Sequence, residues 1–170
     1  MDKRTKLIKN IVLTSILTAI LFVQEQILSF LPNIQLTILL IIVFSKTLGF
    51  KKTTIIVTIH TILDSIFFGS FSLVYFVPML LGWLTIPLLL TTIFKKVESP
   101  LILSIISGGC ACLYTLYFAI ANSLIMNTNI IAYLIADIPF TLLLIVSSVI
   151  SVIWLYQPLN QLIKKYLKEN

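Results

Sequence analysis

The feature that most constrains this sequence is a succession of long apolar stretches joined by short polar ones. A helix that crosses a membrane needs roughly 20 predominantly apolar residues. Only 11% of the residues are charged, against about 25% in an average soluble domain. We therefore exclude a water-soluble fold and predict an all-α integral membrane protein, a single domain over residues 1–170 built as a bundle of six transmembrane helices. The predicted spans are about 8–31, 34–48, 53–68, 74–94, 101–125 and 130–156.

The second span is short and follows Leu31-Pro32-Asn33. Proline disfavours a helical conformation for the residue before it and suits the first turn of a helix. We expect a tight corner between the first two spans, and whether the second one crosses completely is left open.

The basic residues predict the orientation. All twelve lie in four groups, at the start of the chain, between spans two and three, between spans four and five, and at the end: Lys3, Arg4, Lys6, Lys9; Lys46, Lys51, Lys52; Lys95, Lys96; Lys164, Lys165, Lys168. With six spans these groups share one side, which the positive-inside rule makes cytoplasmic. We predict that both termini are cytoplasmic, that Asn127 is external, and that the protein is multi-pass in the cell membrane, expected to be a bacterial plasma membrane. Anionic lipid headgroups are the expected counter-charge, and no nucleic acid is expected.

Three carboxylates, those of Glu25, Asp64 and Asp137, lie toward the opposite ends of their spans. An acidic residue within a span is costly and is a functional candidate by default. Amide and aromatic side chains share that half of the sequence, which favours an outward-facing pocket for a small polar molecule that contains a ring. The alternative is that these groups lie at headgroup depth, and the Asp-x-Pro spacing at Asp137 is also compatible with a helix start.

We predict substrate contacts from seven side chains: Glu25, Gln35, His60, Asp64, Trp83, Tyr117 and Asn122. His60 and Asp64 are four residues apart and share a helix face. They are compatible with a ligand contact, with a proton relay, or with an interior pair that only holds two helices together, and the sequence does not choose among these. Trp83 lies deeper than the others and is the expected apolar floor.

Ser15 and Ala19 form a small-xxx-small step in span one. Small side chains let helix backbones approach closely in lipid. We predict contact with a helix of another membrane protein, with packing inside the bundle as the alternative.

Motifs for catalysis are not found. The one histidine has a nearby aspartate but no activated serine in a glycine-rich context, and no phosphate loop or dinucleotide fingerprint occurs. We expect no enzyme, no cofactor and no metal site, since a metal needs three or four suitable ligands. Without a nucleotide site, the chain alone cannot drive uphill transport except by coupling to an ion.

Several segments resemble a known family. They are Leu31-Pro32-Asn33-Ile34-Gln35-Leu36-Thr37, Lys46-Thr47-Leu48-Gly49, and the segments 64–69 and 78–83. The chain resembles the substrate-binding S components of energy-coupling factor (ECF) vitamin transporters in these segments and in size and charge placement. The resemblance implies six helices, cytoplasmic termini and an outward-facing vitamin site.

The resemblance also implies partners and a mechanism. An S component binds its vitamin outside, topples in the membrane and releases it inward when two cytoplasmic ATPases act through a transmembrane coupling subunit. An Ala-xxx-Ala motif in span one contacts that subunit, and here Ser15 and Ala19 take its place. The implied function is vitamin or precursor binding for an ABC importer, with a cobalamin-type or an aminopyrimidine or thiamin-type substrate. The alternatives are a stand-alone ion-coupled transporter and a structural membrane subunit.

Overall fold

The computed structural model describes residues 2–69 and 71–169, and this part of the chain is helical without strands. The predicted all-α class is therefore confirmed. The six helices are α1 (Lys3–Leu28), α2 (Thr37–Leu48), α3 (Phe50–Phe67), α4 (Leu73–Thr91), α5 (Pro100–Met126) and α6 (Ile130–Glu169).

Four of the helices, α1, α4, α5 and α6, are long and apolar enough to cross a membrane. This is the composition of a membrane protein. The other two are different: α2 has 12 residues, or about 18 Å at roughly 1.5 Å per residue, against a hydrocarbon core of about 30 Å. Helix α3 has 18 residues and carries Lys51, Lys52 and Asp64. Six crossings therefore stay a prediction.

The helix ends differ from the ends of the apolar stretches. Helix α1 begins at Lys3, before the predicted span, and ends at Leu28, and α6 continues beyond residue 156 to Glu169. Lysine, glutamine, glutamate and leucine are good helix formers, so the backbone remains helical in the polar flanks. The apolar pattern marks the part suited to lipid, and the helix need not stop where that pattern stops.

Helix α2 is the centre of the packing. Its nine consecutive residues Thr37–Ser45 are all buried, and it contacts each of the other five helices. A helix that is apolar on every face is expected in the interior. The shortest helix is thus enclosed by the longer ones.

The basic groups meet at one end of the molecule. Four contacts join them: Lys46 Nζ donates to the carbonyl oxygens of Phe94 (2.7 Å) and Lys95 (3.2 Å), Lys52 Nζ donates to Asn10 Oδ1 (2.7 Å), and Lys164 Nζ lies 3.4 Å from Glu98 Oε2. We call this the basic end. The acidic end is the opposite one, where α1 and α3 finish near Glu25 and Asp64.

Gly49 alone separates α2 from α3, and its φ of 78° lies in the left-handed region. Glycine adopts such a backbone without the steric penalty of a Cβ atom. The chain therefore reverses within one residue, which keeps Lys46 and the start of α3 at the same end.

The predicted orientation can be tested by cysteine labelling in a chain whose Cys110 and Cys112 are replaced by alanine. Thr128 and Ser99 are both exposed and lie in the α5–α6 and α4–α5 connections. We expect Thr128→Cys to react with an impermeant maleimide in intact cells, and Ser99→Cys to react only after permeabilisation, because the basic end is expected to face the cytoplasm. The reverse pattern would contradict the orientation.

Candidate functional site

The connection between α1 and α2 lies at the acidic end of the molecule and forms part of the candidate site. A glutamine of α1 holds this connection in place. Gln24 Oε1 accepts from the backbone N–H of Leu36 (2.9 Å), and its Nε2 donates to Thr37 Oγ1 (2.8 Å). The first N–H groups of a helix need such partners, and the residue before α2 is a leucine that offers no side-chain cap. Helix α1 therefore caps α2 from outside its own sequence.

The same connection is fixed to α6. Asn33 Nδ2 donates to the carbonyl oxygen of Phe140 (3.0 Å), and the backbone N–H of Gln35 donates to Ser147 Oγ (3.2 Å). Ser147 Oγ in turn donates to the carbonyl oxygen of Gln35 (3.1 Å). Residues 29–36 are thus attached on two sides.

The carboxylate of Glu25 joins three helices. Its Oε2 atom lies 3.1 Å from His60 Nε2 of α3 and 3.1 Å from Thr37 Oγ1 of α2. Thr37 Oγ1 also lies 2.9 Å from Gln35 Oε1. The His60 side chain is fully buried, whereas 18% of the Glu25 side chain is exposed. Glu25 can therefore anchor the helices and still meet a molecule from outside.

Asp64, one turn beyond His60 on α3, meets a different side chain of α1. Gln26 Nε2 donates to Asp64 Oδ1 at 2.9 Å, and Asp64 is buried. His60 and Asp64 each contact a separate partner on α1, Glu25 and Gln26 respectively. Both contacts hold α1 against α3.

A cavity of about 270 Å³ opens beside Glu25 at the acidic end. The α1–α2 connection supplies most of its wall, with one aromatic residue each from the end of α3 and from α5. The lining residues are Glu25, Leu28, Ser29, Leu31, Pro32, Asn33, Ile34, Gln35, Phe68 and Tyr114. Of the predicted contacts, Glu25 and Gln35 line it directly, and His60 and Asp64 lie behind Glu25 and Gln26.

Trp83 supports this wall from behind. Its ring stacks on Tyr114 with centroids 4.2 Å apart and planes 25° apart, and Tyr114 also packs on Phe118 at 4.9 Å. Trp83 is buried, and its Nε1 atom has no hydrogen-bond partner within the described residues. Tyr114, which is absent from the predicted set, lines the cavity together with Phe68.

Two predicted contacts lie away from the cavity. The Tyr117 hydroxyl lies 3.0 Å from Thr85 Oγ1 of α4, and Asn122 Nδ2 donates to the carbonyl oxygen of Phe118 in its own helix (2.9 Å). Asp137 accepts from Thr141 one turn later in α6 (2.8 Å). None of these three residues is among those that line the cavity beside Glu25.

The seven predicted contacts leave out Gln24, Gln26, Thr37 and Tyr114. Gln24, Gln26 and Tyr114 do belong to the amide and aromatic side chains that favour an outward-facing pocket, and the two glutamines flank Glu25 directly. The sequence does not single out Tyr114 among those aromatic residues, because its role depends on how α5 packs against α4.

A second surface lies between α1 and α3, nearer the basic end. It is a groove of about 580 Å³ lined by Asn10, Ile11, Thr14, Ser15, Thr18, Ala19, Lys52, Ile55, Ile59 and Leu63. Ser15 and Ala19 are exposed in it. The hydroxyls of Thr14 and Thr18 donate to carbonyl oxygens one turn earlier in α1 (both 2.8 Å). The small residues therefore face outward, and the alternative that they pack inside the bundle is not supported.

Comparisons of the chain with protein-family models, with curated proteins and with solved structures found no match.

Gly82 is the position on which the Tyr114 wall depends. A Cβ atom there would lie 2.5 Å from Tyr114 Cδ2, whereas a Cβ atom at Gly109 would meet nothing within 4 Å. We expect Gly82→Ala to lower the free energy of unfolding by about 1–3 kcal/mol through overpacking. Gly109→Ala, the matched control, should be neutral or stabilising by up to about 1 kcal/mol. Denaturant titration in detergent measures both, and equal effects would contradict the tight contact.

Proposed function

We propose that this chain is the substrate-specific S component of an ECF-type ABC importer, which binds a vitamin or a vitamin precursor for ATP-driven uptake. Its partners are a transmembrane coupling subunit and two cytoplasmic ATPases. In this proposal the six helices lie in a bacterial plasma membrane, both termini are cytoplasmic and the cavity opens outward. The chain acts by binding, with neither catalysis nor a cofactor.

The observation that carries the proposal is the cavity beside Glu25. It combines one carboxylate, two amide side chains and two aromatic rings in a chain of long apolar helices. A concave site with a few placed polar groups is the usual form of a small-molecule site. Because the sequence has no nucleotide-binding motif, a site of this kind needs an external energy source to support uphill uptake.

The groove between α1 and α3 supports the partnership with a coupling subunit. Ser15 and Ala19 expose small side chains beside apolar residues of α3. This combination permits close approach of another helix in lipid. The groove and the cavity share α1, so one helix belongs to both the binding site and the proposed contact surface.

The second candidate function is stand-alone ion-coupled transport. The buried groups His60 and Asp64, together with Glu25, favour it, because ionisable residues inside membrane proteins often form proton relays. Uptake that collapses with the proton gradient and does not need the coupling subunit would favour this alternative.

The central experiment is purification of the full chain followed by mass spectrometry of the small molecules that co-purify with it. Uptake of the identified compound is then measured in cells with and without the coupling subunit and its ATPases. The proposal expects a bound vitamin or precursor and uptake only with the complete set. If no small molecule co-purified with the chain and uptake did not depend on it, the result would support a structural subunit instead.

Ala19→Leu tests the contact surface. A leucine side chain fills the groove beside Ser15, so we expect loss of uptake while ligand binding by the isolated protein stays within about twofold of the parent. Ala136→Leu, at an exposed alanine of α6, is the control and should leave both unchanged. If Ala19→Leu also abolished binding, the groove would belong to the fold of the chain itself.

Glu25→Gln and Asp64→Asn test the site. A hydrogen bond to a charged group contributes about 1.5–3 kcal/mol, or roughly ten- to a hundredfold in affinity. We expect Glu25→Gln to weaken binding of the co-purified ligand by that factor, and Asp64→Asn to act less strongly because Asp64 lies behind the wall. Glu98→Gln, at the basic end, should bind as the parent does. If both site variants bound the ligand with the affinity of the parent, the two carboxylates would not be part of the site.

A further inference from the structure

The size of the cavity limits the ligand. At about 270 Å³ it lies just below the range of about 300–1,000 Å³ that is usual for pockets of drug-sized ligands. A molecule of one or two small rings fits within this space, whereas a macrocycle does not.

The charge of the wall limits the ligand further. Glu25 is the one carboxylate among the residues that line the cavity, and no lysine or arginine lines it. On α1 the nearest basic residue is Lys9, sixteen positions earlier (25 − 9), which is about 24 Å along a helix. Glu25 Oε2 already meets His60 and Thr37, and the exposed part of the carboxylate is what a ligand meets. With no lysine or arginine in the lining, that carboxylate opposes an anion and favours a ligand with a positive charge or an N–H donor.

The hydrogen-bonding groups of the wall are of both kinds. Several donors near the cavity are already committed: Asn33 Nδ2 to Phe140, Gln24 Nε2 to Thr37, and Ser29 Oγ to the carbonyl of Gln26. Among the other lining groups, the carboxylate of Glu25 accepts, whereas the side-chain N–H2 of Gln35 and the hydroxyl of Tyr114 can donate. A ring that carries both an N–H donor and a ring-nitrogen acceptor, as an aminopyrimidine does, matches both kinds of group, and a molecule with acceptors alone leaves the carboxylate unpaired.

The rings in the wall add a preference for a flat ligand. Tyr114 and Phe68 both line the cavity, and Tyr114 is held by Trp83 on one side and by Phe118. A fixed aromatic face stacks with a planar ring and attracts a cationic nitrogen.

From these four observations we infer that the ligand is a compact heteroaromatic ring that carries an amino group or a positively charged nitrogen, an aminopyrimidine or thiazolium-like molecule, and is neither a corrinoid nor a carboxylate vitamin. The inference rests on the proposed function, because it names the substrate class of that same site. Glu25 is the residue that distinguishes the charge of the ligand, and Tyr114 is the one that stacks with its ring.

The test is equilibrium binding of four probes to the full chain in lipid nanodiscs: thiamin as the cationic ring, 4-amino-5-hydroxymethyl-2-methylpyrimidine as the uncharged aminopyrimidine, pantothenate as the anion and cobalamin as the macrocycle. We expect binding of thiamin or the aminopyrimidine, and no measurable binding of pantothenate or cobalamin. Glu25→Gln should weaken binding roughly tenfold or more. The control Glu98→Gln should match the parent.

Comparing the two ring compounds distinguishes a direct contact between Glu25 and the ligand from a purely structural role of Glu25. The loss in Glu25→Gln should be larger for cationic thiamin than for the uncharged aminopyrimidine, whereas a general disturbance of the fold weakens both equally. Equal losses would overturn the assignment of Glu25 as the residue that distinguishes charge. Where only the aminopyrimidine binds, a loss of its affinity in Glu25→Gln supports the amino-ring class.

Binding of cobalamin or pantothenate in place of the two ring compounds would overturn this inference and leave the proposed function intact. Failure of all four probes to bind would also overturn it. The proposed function is then decided separately by the uptake experiment, which requires the coupling subunit and does not depend on these probes.

Discussion

The contact of Glu25 with His60 and Thr37 is the interaction on which the acidic end of the structure depends. One carboxylate oxygen meets α2 and α3 from its place on α1. An acidic residue within a membrane helix costs about 2.5–3.5 kcal/mol on insertion scales, so such a residue is tolerated where partners surround it. Here the partners also set the spacing of three helices. The cavity exists because these helices are held there while the α1–α2 connection runs over the gap.

Prediction from the sequence succeeds for properties that depend on the chain itself and fails for those that depend on packing. The existence of the helices follows from apolar runs, and the enclosure of α2 agrees with a helix that is apolar on every face. The partners of His60 and Asp64 do not follow, because helical spacing relates residues of one helix and says nothing about which helix lies opposite. Tyr117 and Asn122 belong to the half of the sequence in which the site is expected, yet they bond to Thr85 and to Phe118.

Tyr114 is another residue whose role depends on packing between helices and does not follow from the sequence. Its position against Trp83 requires a missing side chain at Gly82 on the neighbouring helix. Glycine is common inside the helices of membrane proteins, so its presence in the sequence does not reveal which residue packs against it. The outward direction of Ser15 and Ala19 could be suggested from their spacing, but choosing between a partner and the interior required knowing that α3 leaves a groove beside them.

The shortness of α2 has a consequence for the depth at which the chemistry takes place. Helix α2 is about 18 Å long, which is shorter than a hydrocarbon layer of about 30 Å. In the proposed membrane setting the α1–α2 connection would lie below the headgroups, where backbone groups need partners within the protein. Gln24 and Ser147 supply such partners. Only 18% of the Glu25 side chain is exposed, so a ligand that reaches it in the proposed function exchanges part of its hydration shell for fixed partners. Because a partly buried charge is screened less than a surface charge, the ionic strength of the solution should influence that affinity less than it influences a contact at the surface.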